Sequence, residues 1–243
     1  MDLKDPKNIA ELLKVQRDVL RSYVRYIRKL VRERYKNAAL LTYWLRDYLQ
    51  YLKRENSFVP SMTYRRGQIV YVNFGYRIGR ELGGCHYAIV MDVKNSRNSS
   101  LITVVPMKSK RDKVTTYSRI YHVDLSENVR AVLTRKAVDI LQEQVDGFAE
   151  RIETSDKKRV IAKYKRNIRQ AMEIYAYAKN KLNHSSVADV GQICTVSKIR
   201  IVHPAQNSDV LAGVILPDDC MQRIEKRIAQ LYFPSLDRES NMG

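Results

Sequence analysis

Apolar residues recur every three or four positions through the first fifty-five residues. Ile9, Leu13, Leu20, Val24, Ile27 and Val31 form one series, and Leu41, Leu45, Tyr48 and Leu52 a second. That spacing predicts helix. Asp5-Pro6 is a suitable start, with Asp5 placed to cap and Pro6 at the first helical position. Lys36-Asn37 interrupts the series, so the pattern fits either one long helix or a hairpin broken near Asn37. Arg17, Arg21, Arg25, Arg28, Lys29 and Arg32 fall on the opposite face. They read first as a solvated polar face, and second as a stripe facing nucleic acid.

Residues 56–62, with Ser57, Pro60 and Ser61, read as a linker. The period then changes to two. Gly67 to Phe74 (GQIVYVNF), HYAIVMDV, LITVVPM and SRIYHVDL each predict a strand, with a glycine-containing loop from Gly75 to Gly84. Helical spacing returns from Leu133 to Leu182, with a stop and a new cap at Thr154-Ser155-Asp156. This predicts an antiparallel helical hairpin. Val187 to Val202 is again strand-like, Pro204 to Ser208 a turn and Leu211 to Leu216 a short strand. Asp218 and Asp219 are placed to cap a last helix, Met221 to Leu231. The fold class is therefore α+β: a small β core, interrupted by a helical hairpin and preceded by helices. The apolar faces of the first helices and of the hairpin are expected to pack together beside the core, with Tyr23, Tyr26, Trp44, Tyr164 and Tyr175 supplying aromatic bulk.

Charge changes the picture. The chain has 243 residues and a formal net charge of +18. A surplus of that size points to a polyanion, with nucleic acid the first candidate. Cys85, Cys194 and Cys220 have neither zinc-like nor redox-like spacing and read as thiols of a reducing compartment. The first residues carry no apolar signal core, and the longest apolar run, Ala38 to Leu45, is too short to span a membrane. A cytoplasmic protein with no membrane contact is expected. The glycines form neither a P-loop nor a dinucleotide fingerprint, and no nucleophile elbow supports a Ser-His-Asp triad.

Two blocks carry a family resemblance. The first, Arg65 to Ser109, has Gly67 leading a strand, Glu81-Leu82-Gly83-Gly84 closing a loop, and then the strands AIVMDV and LITVVPMKS. The second is VADVGQICTVSKIRI, Val187 to Ile201, followed by the helix DDCMQRIEKRIAQLY. In this order they resemble the MazF/PemK toxins, over Arg65 to Asp124 and Val187 to Leu231. The resemblance implies a small SH3-like β-barrel, here with N-terminal helices, an inserted helical hairpin and a C-terminal helix. The expected domains are a helical extension (1–60), the barrel (61–124 with 187–234), the hairpin insertion (125–186) and a tail (235–243). His86 stands where the family has a catalytic Arg, and Ser109 where it has a Thr. In the second block Gln192, Thr195 and Lys198 match the family pattern, while Cys194 replaces an Arg and Ser197 an Asp.

The implied activity is that of a type II toxin: a metal-independent endoribonuclease acting on single-stranded RNA with no cofactor. The resemblance also implies a homodimer and a protein antitoxin. Cleavage by the substrate's own 2′-hydroxyl needs a base, an acid and a group that holds charge on phosphate. His86 is the candidate proton mover or cation, and Ser109 the candidate phosphate-oxygen donor. Lys108 and Lys110 flank Ser109 and could hold phosphates. Tyr76, Arg77 and Arg80 on the loop suit splayed bases, with Glu81 as a loop anchor first and a second acid–base group otherwise. His122, His184 and His203 share no spacing and read as structural or surface residues. The substitutions at His86, Cys194 and Ser197 motivate an alternative, a non-catalytic module binding RNA or protein. A toxin of a DNA topoisomerase is a third reading that no residue selects.

Overall fold

A computed structural model describes residues 5–60, 62–109, 116–126, 128–146, 157–181 and 186–233. The amino-terminal series forms a hairpin of α1 (Ile9–Glu33) and α2 (Tyr35–Arg54). The Asp5 carboxylate accepts from the Lys7 amide at 2.9 Å and Pro6 opens the first turn. The break falls at Arg34, whose φ of −147° leaves the helical region, slightly ahead of Asn37.

The sheet has seven strands among the described residues: β1 (Ile69–Asn73), β2 (Cys85–Val90), β3 (Leu101–Ser109), β4 (His122–Ser126), β5 (Ser186–Asp189), β6 (Cys194–Ser197) and β7 (Ile201–His203). Its order is β4-β5-β3-β2-β1-β7, and all the pairings between these strands are antiparallel. β3 is the pivot. One edge takes β2, while the other takes β6 along Leu101–Val104 and β5 along Met107–Ser109. Among the described residues the path ends at β4 and β7 without closing.

Several sequence expectations change here. The stretch SRIYHVDL is half strand only. Thr116–Tyr121 forms a short helix, α3, and β4 begins at His122. Arg227 accounts for this by donating Nη1 to the carbonyls of Arg119 (2.6 Å) and Ile120 (3.1 Å), which a helix end leaves unpaired. Val187 to Val202 is three short strands separated by 3-10 turns. Leu211 to Leu216 is a turn with Gly213 at φ +69°, and it meets the sheet through a single bridge, Ile215 to Gln68. Asp218 and Asp219 lie inside the first turn of the last helix, with Pro217 at the cap position, so they act on the helix dipole instead of capping.

Strand alternation gives the sheet two apolar faces. One buries Val70, Val72, Phe74, Ala88, Val104 and Val196. The other buries Ile69, Ile89, Val105 and Met107 beneath three helices: α4 (Asn128–Asp146), α5 (Lys157–Lys181) and α6 (Asp218–Tyr232). Leu133, Ala137, Ile174 and Ala178 are the hairpin's contribution, and Ile224 that of α6. The Tyr87 and Tyr177 hydroxyls are hydrogen-bonded, and Lys136 Nζ donates to the carbonyls of Val210 (3.0 Å) and Ala212 (2.5 Å). The stop expected at Thr154-Ser155-Asp156 lies outside the described residues.

Among the described residues the shared interface expected between the first helices and the hairpin does not form. α1 and α2 make their own small cluster of Leu30, Ala38 and Leu41, joined by Tyr23, Ile27 and Tyr76. They reach the sheet at the exit of β1 instead. Asn73 Nδ2 donates to Asp47 Oδ2 and to the Tyr51 hydroxyl, both at 3.3 Å. The Arg200 guanidinium lies 5.2 Å over the Trp44 ring. Gly75 lets Trp44 sit against the main chain, because a Cβ there would be 2.6 Å from the indole. Each helical pair thus found apolar sheet or loop surface nearer than the other pair.

Candidate active site

The register assembles a polar patch at one end of the sheet. Ala88 pairs with Pro106, so two residues further along each strand His86 and Lys108 share a face. Across β5 and β4, Lys108 pairs with Val187, and Asp189 with His122. By alternation His86, Lys108, Asp189 and His122 all lie on the face opposite Met107, Ala188 and Val123, which belong to the helix-covered core.

Asp189 is 3% exposed and is the centre of the patch. Lys108 Nζ forms an ion pair with its carboxylate, and His122 Nε2 stands 3.7 Å from Oδ2. That second separation is electrostatic contact, too long for a hydrogen bond. A buried carboxylate needs such partners, since removing charge from water without compensation is costly.

His86 Nε2 lies 3.0 Å from the Gly83 carbonyl oxygen and donates to it. Burial pushes the His86 pKa below the ordinary histidine value, and Lys108 adds to this; main-chain hydrogen bonding at Gly83 and Met107 opposes it. His122 is also lowered, chiefly by burial; the Asp189 carboxylate pulls it back up, and Lys108 adds a smaller lowering. His86 is therefore mainly neutral near pH 7, suited to take a proton, and the fixed cation beside it is Lys108.

The loop from Gly75 to Gly84 borders His86. A Cβ on Gly83 would fall 2.8 Å from the Gly75 carbonyl oxygen and 3.2 Å from the Arg77 amide, so the loop's two ends are packed main chain to main chain. Arg77 Nε donates to the Phe74 carbonyl at 3.1 Å, and Nη1 reaches Glu81 at 3.5 Å. Glu81 thus anchors within the loop. Gln192 holds the loop's far end, accepting from the Leu82 amide at 3.1 Å and donating to the Arg80 carbonyl at 3.3 Å. Tyr76 leans on the α1–α2 cluster.

The structure brings His86, Lys108 and the Arg77–Glu81 loop together, but not Ser109. That serine is exposed at the end of β3, opposite Ser186, and alternation puts it on the other side of the strand from Lys108. Lys110 lies outside the described residues. Sequence reasoning missed Asp189 and took His122 for a structural or surface residue; sixty-seven positions separate them, and only strand pairing makes them neighbours. Lys198 matched the family pattern but is buried, with Nζ donating to the Ser96 carbonyl at 2.7 Å. It holds the β2–β3 connection. Cys194 is partly buried against the apolar face, near the guanidiniums of Arg77 and Arg200. Among the described residues no three His, Cys, Asp or Glu side chains converge as metal ligands.

Residues 65–172 match the family model of the PemK-like, MazF-like toxins of type II toxin–antitoxin systems. That stretch, a little under half of the chain, is similar to the PemK-like toxin domain. The match starts just before β1 and ends within α5, so it includes His86, Lys108 and His122, while β5 to β7 lie beyond it. No curated protein matches the chain. The PemK-like family implies a toxin's role and an antitoxin partner. No helix among the described residues is long and apolar enough to cross a membrane.

Proposed function

We propose that the PemK-like domain is an endoribonuclease that cuts single-stranded RNA and is the toxin of its pair. The observation that carries this reading is His86, neutral and half-buried, between the Lys108 cation and a loop bearing Arg77 and Arg80. His86 takes the proton of the 2′-hydroxyl. Lys108 and the loop arginines hold the phosphate, whose negative charge grows as the 2′-oxygen attacks. Tyr76, Arg77 and Arg80 grip unstacked bases, and Lys110 a neighbouring phosphate. The tethered nucleophile makes positioning the larger part of the work, and the chemistry requires no metal. Dependence on the 2′-hydroxyl restricts cutting to RNA.

The same reading includes an SH3-like barrel as the strand arrangement, a homodimer, a cytoplasmic location and an antitoxin whose acidic segment covers the basic site. The extension (1–60), the insertion (125–186) and the tail (235–243) are additions to that barrel. The substitutions at Cys194 and Ser197 favour the second reading, a non-catalytic module binding RNA or protein. Purified protein incubated with long single-stranded RNA in chelator separates the two. The nuclease reading expects fragments ending in a cyclic phosphate upstream and a 5′-hydroxyl downstream. Antitoxin-free protein that binds RNA without cutting it would establish the module instead.

A further inference from the structure

We infer that His122, held by Asp189, is the proton donor to the leaving 5′-oxygen, across Lys108 from His86. This rests on the endoribonuclease reading and completes it, because His86 alone supplies the base and leaves the acid unassigned.

The placement follows from pairing. β3 and β5 lie between β2 and β4, so the two histidines flank Lys108 on one face of the sheet. Their backbones are about 15 Å apart by strand spacing and register, with Lys108 on a strand between them, so a phosphodiester held over Lys108 would have one histidine on either side.

Burial lowers both rings, and the groups that oppose it differ: main-chain carbonyls at His86, a carboxylate at His122. His86 has a carbonyl and a lysine beside it. His122 has a buried carboxylate 3.7 Å from Nε2, which supports its charged form. Nε2 is buried with no hydrogen-bond partner among the described residues, and Asp189 is the charge it faces. The other charged groups around His122 are Lys108 on β3, Asp124 on its own strand, and Arg223 of α6, whose Nη1 donates to the Asp124 carbonyl at 2.7 Å. With Nε2 turned to Asp189, the proton delivered to substrate is on Nδ1.

The step balances. The 2′-hydroxyl proton moves to His86 as the bond from 2′-oxygen to phosphorus forms. The bond from phosphorus to the 5′-oxygen breaks, and that oxygen receives the His122 proton. The products are a 2′,3′-cyclic phosphate and a 5′-hydroxyl. His86 ends charged and His122 neutral, and exchange with water resets both.

The test uses the full chain and two substrates: ordinary RNA, and the same RNA with sulfur replacing the bridging 5′-oxygen at the cut. A thiolate leaves without protonation, so an acid is needed only for the oxygen substrate. His122→Ala should slow ordinary RNA by roughly 10²–10⁴-fold, yet cut the sulfur substrate within about tenfold of wild type. His86→Ala should be slow on both. The alkaline limb of the pH–rate profile should vanish in His122→Ala. Asp189→Asn, which also serves if His122→Ala does not fold, should move that limb to lower pH. Equal slowing of His122→Ala on both substrates, or none on ordinary RNA, would overturn the assignment while leaving the nuclease. Wild type that cuts neither substrate would overturn both.

Discussion

His86 Nε2 is hydrogen-bonded to the carbonyl oxygen of Gly83 at 3.0 Å. A carbonyl only accepts, so Nε2 carries the proton and the neutral ring keeps its lone pair on Nδ1. The loop that borders the site therefore also sets the tautomer of its base. His86→Ala should lower the cleavage rate in chelator by about two to four orders of magnitude, the range for a lost acid or base. His86→Arg should fail to restore it, since Lys108 already supplies the cation and no base replaces the imidazole. Arg restoring activity and flattening its pH dependence would reverse this division of roles. Ser109→Ala, on the strand's other side, should cost about one order or less, below the usual loss for a central oxyanion donor.

Acid should destabilise the fold through both buried histidines. Burial lowers the folded-state pKa of His86 and His122 from 6.5. Between the folded and unfolded values the unfolded chain binds more protons, so stability rises with pH. The contribution is present above 6.5 and is lost as pH falls through the lowered folded values. The melting temperature should drop between pH 7 and pH 5, and His86→Gln with His122→Gln should flatten that slope. A slope unaffected by the double change would place the titration elsewhere.

Gly75→Ala should destabilise the junction of α2 with the sheet. The position has φ +80°, and a Cβ would meet Trp44 at 2.6 Å. Left-handed geometry for a residue with a side chain costs about 1–3 kcal/mol, before the clash is counted. Thermal denaturation should show the loss, and Trp44→Ala should relieve the clash without relieving the backbone strain. A fully additive double mutant would show that the indole does not press on this glycine.

The basic face of α1 offers a test of how far RNA extends. Replacing Arg25, Arg28 and Arg32 together should weaken RNA binding and reduce the salt dependence of affinity. The log–log slope should fall by up to about 0.7 for each single-strand phosphate that these arginines neutralise. An unchanged slope, measured by titration at several salt concentrations, would confine RNA to the sheet and its loop.

Periodicity alone marked the first helices, the hairpin, β1 to β3 and the closing helix, since those signals depend on residues a few positions apart. The family pattern singled out His86, Lys108 and the Gly75–Gly84 loop within one stretch of chain. Tertiary structure decided the rest. Asp189 and His122 meet only because β4 and β5 pair across the helical hairpin. Ser109 leaves the face of His86 and Lys108 because side chains alternate along a strand, so neighbours in sequence point apart. The hairpin packs on the sheet and not on α1 because Leu133 and Ile174 find a larger apolar surface there. The sequence thus determined which segments are helix or strand and which histidine to suspect; it could not determine which distant charges would share one buried end of the sheet, because non-local pairing chooses those neighbours.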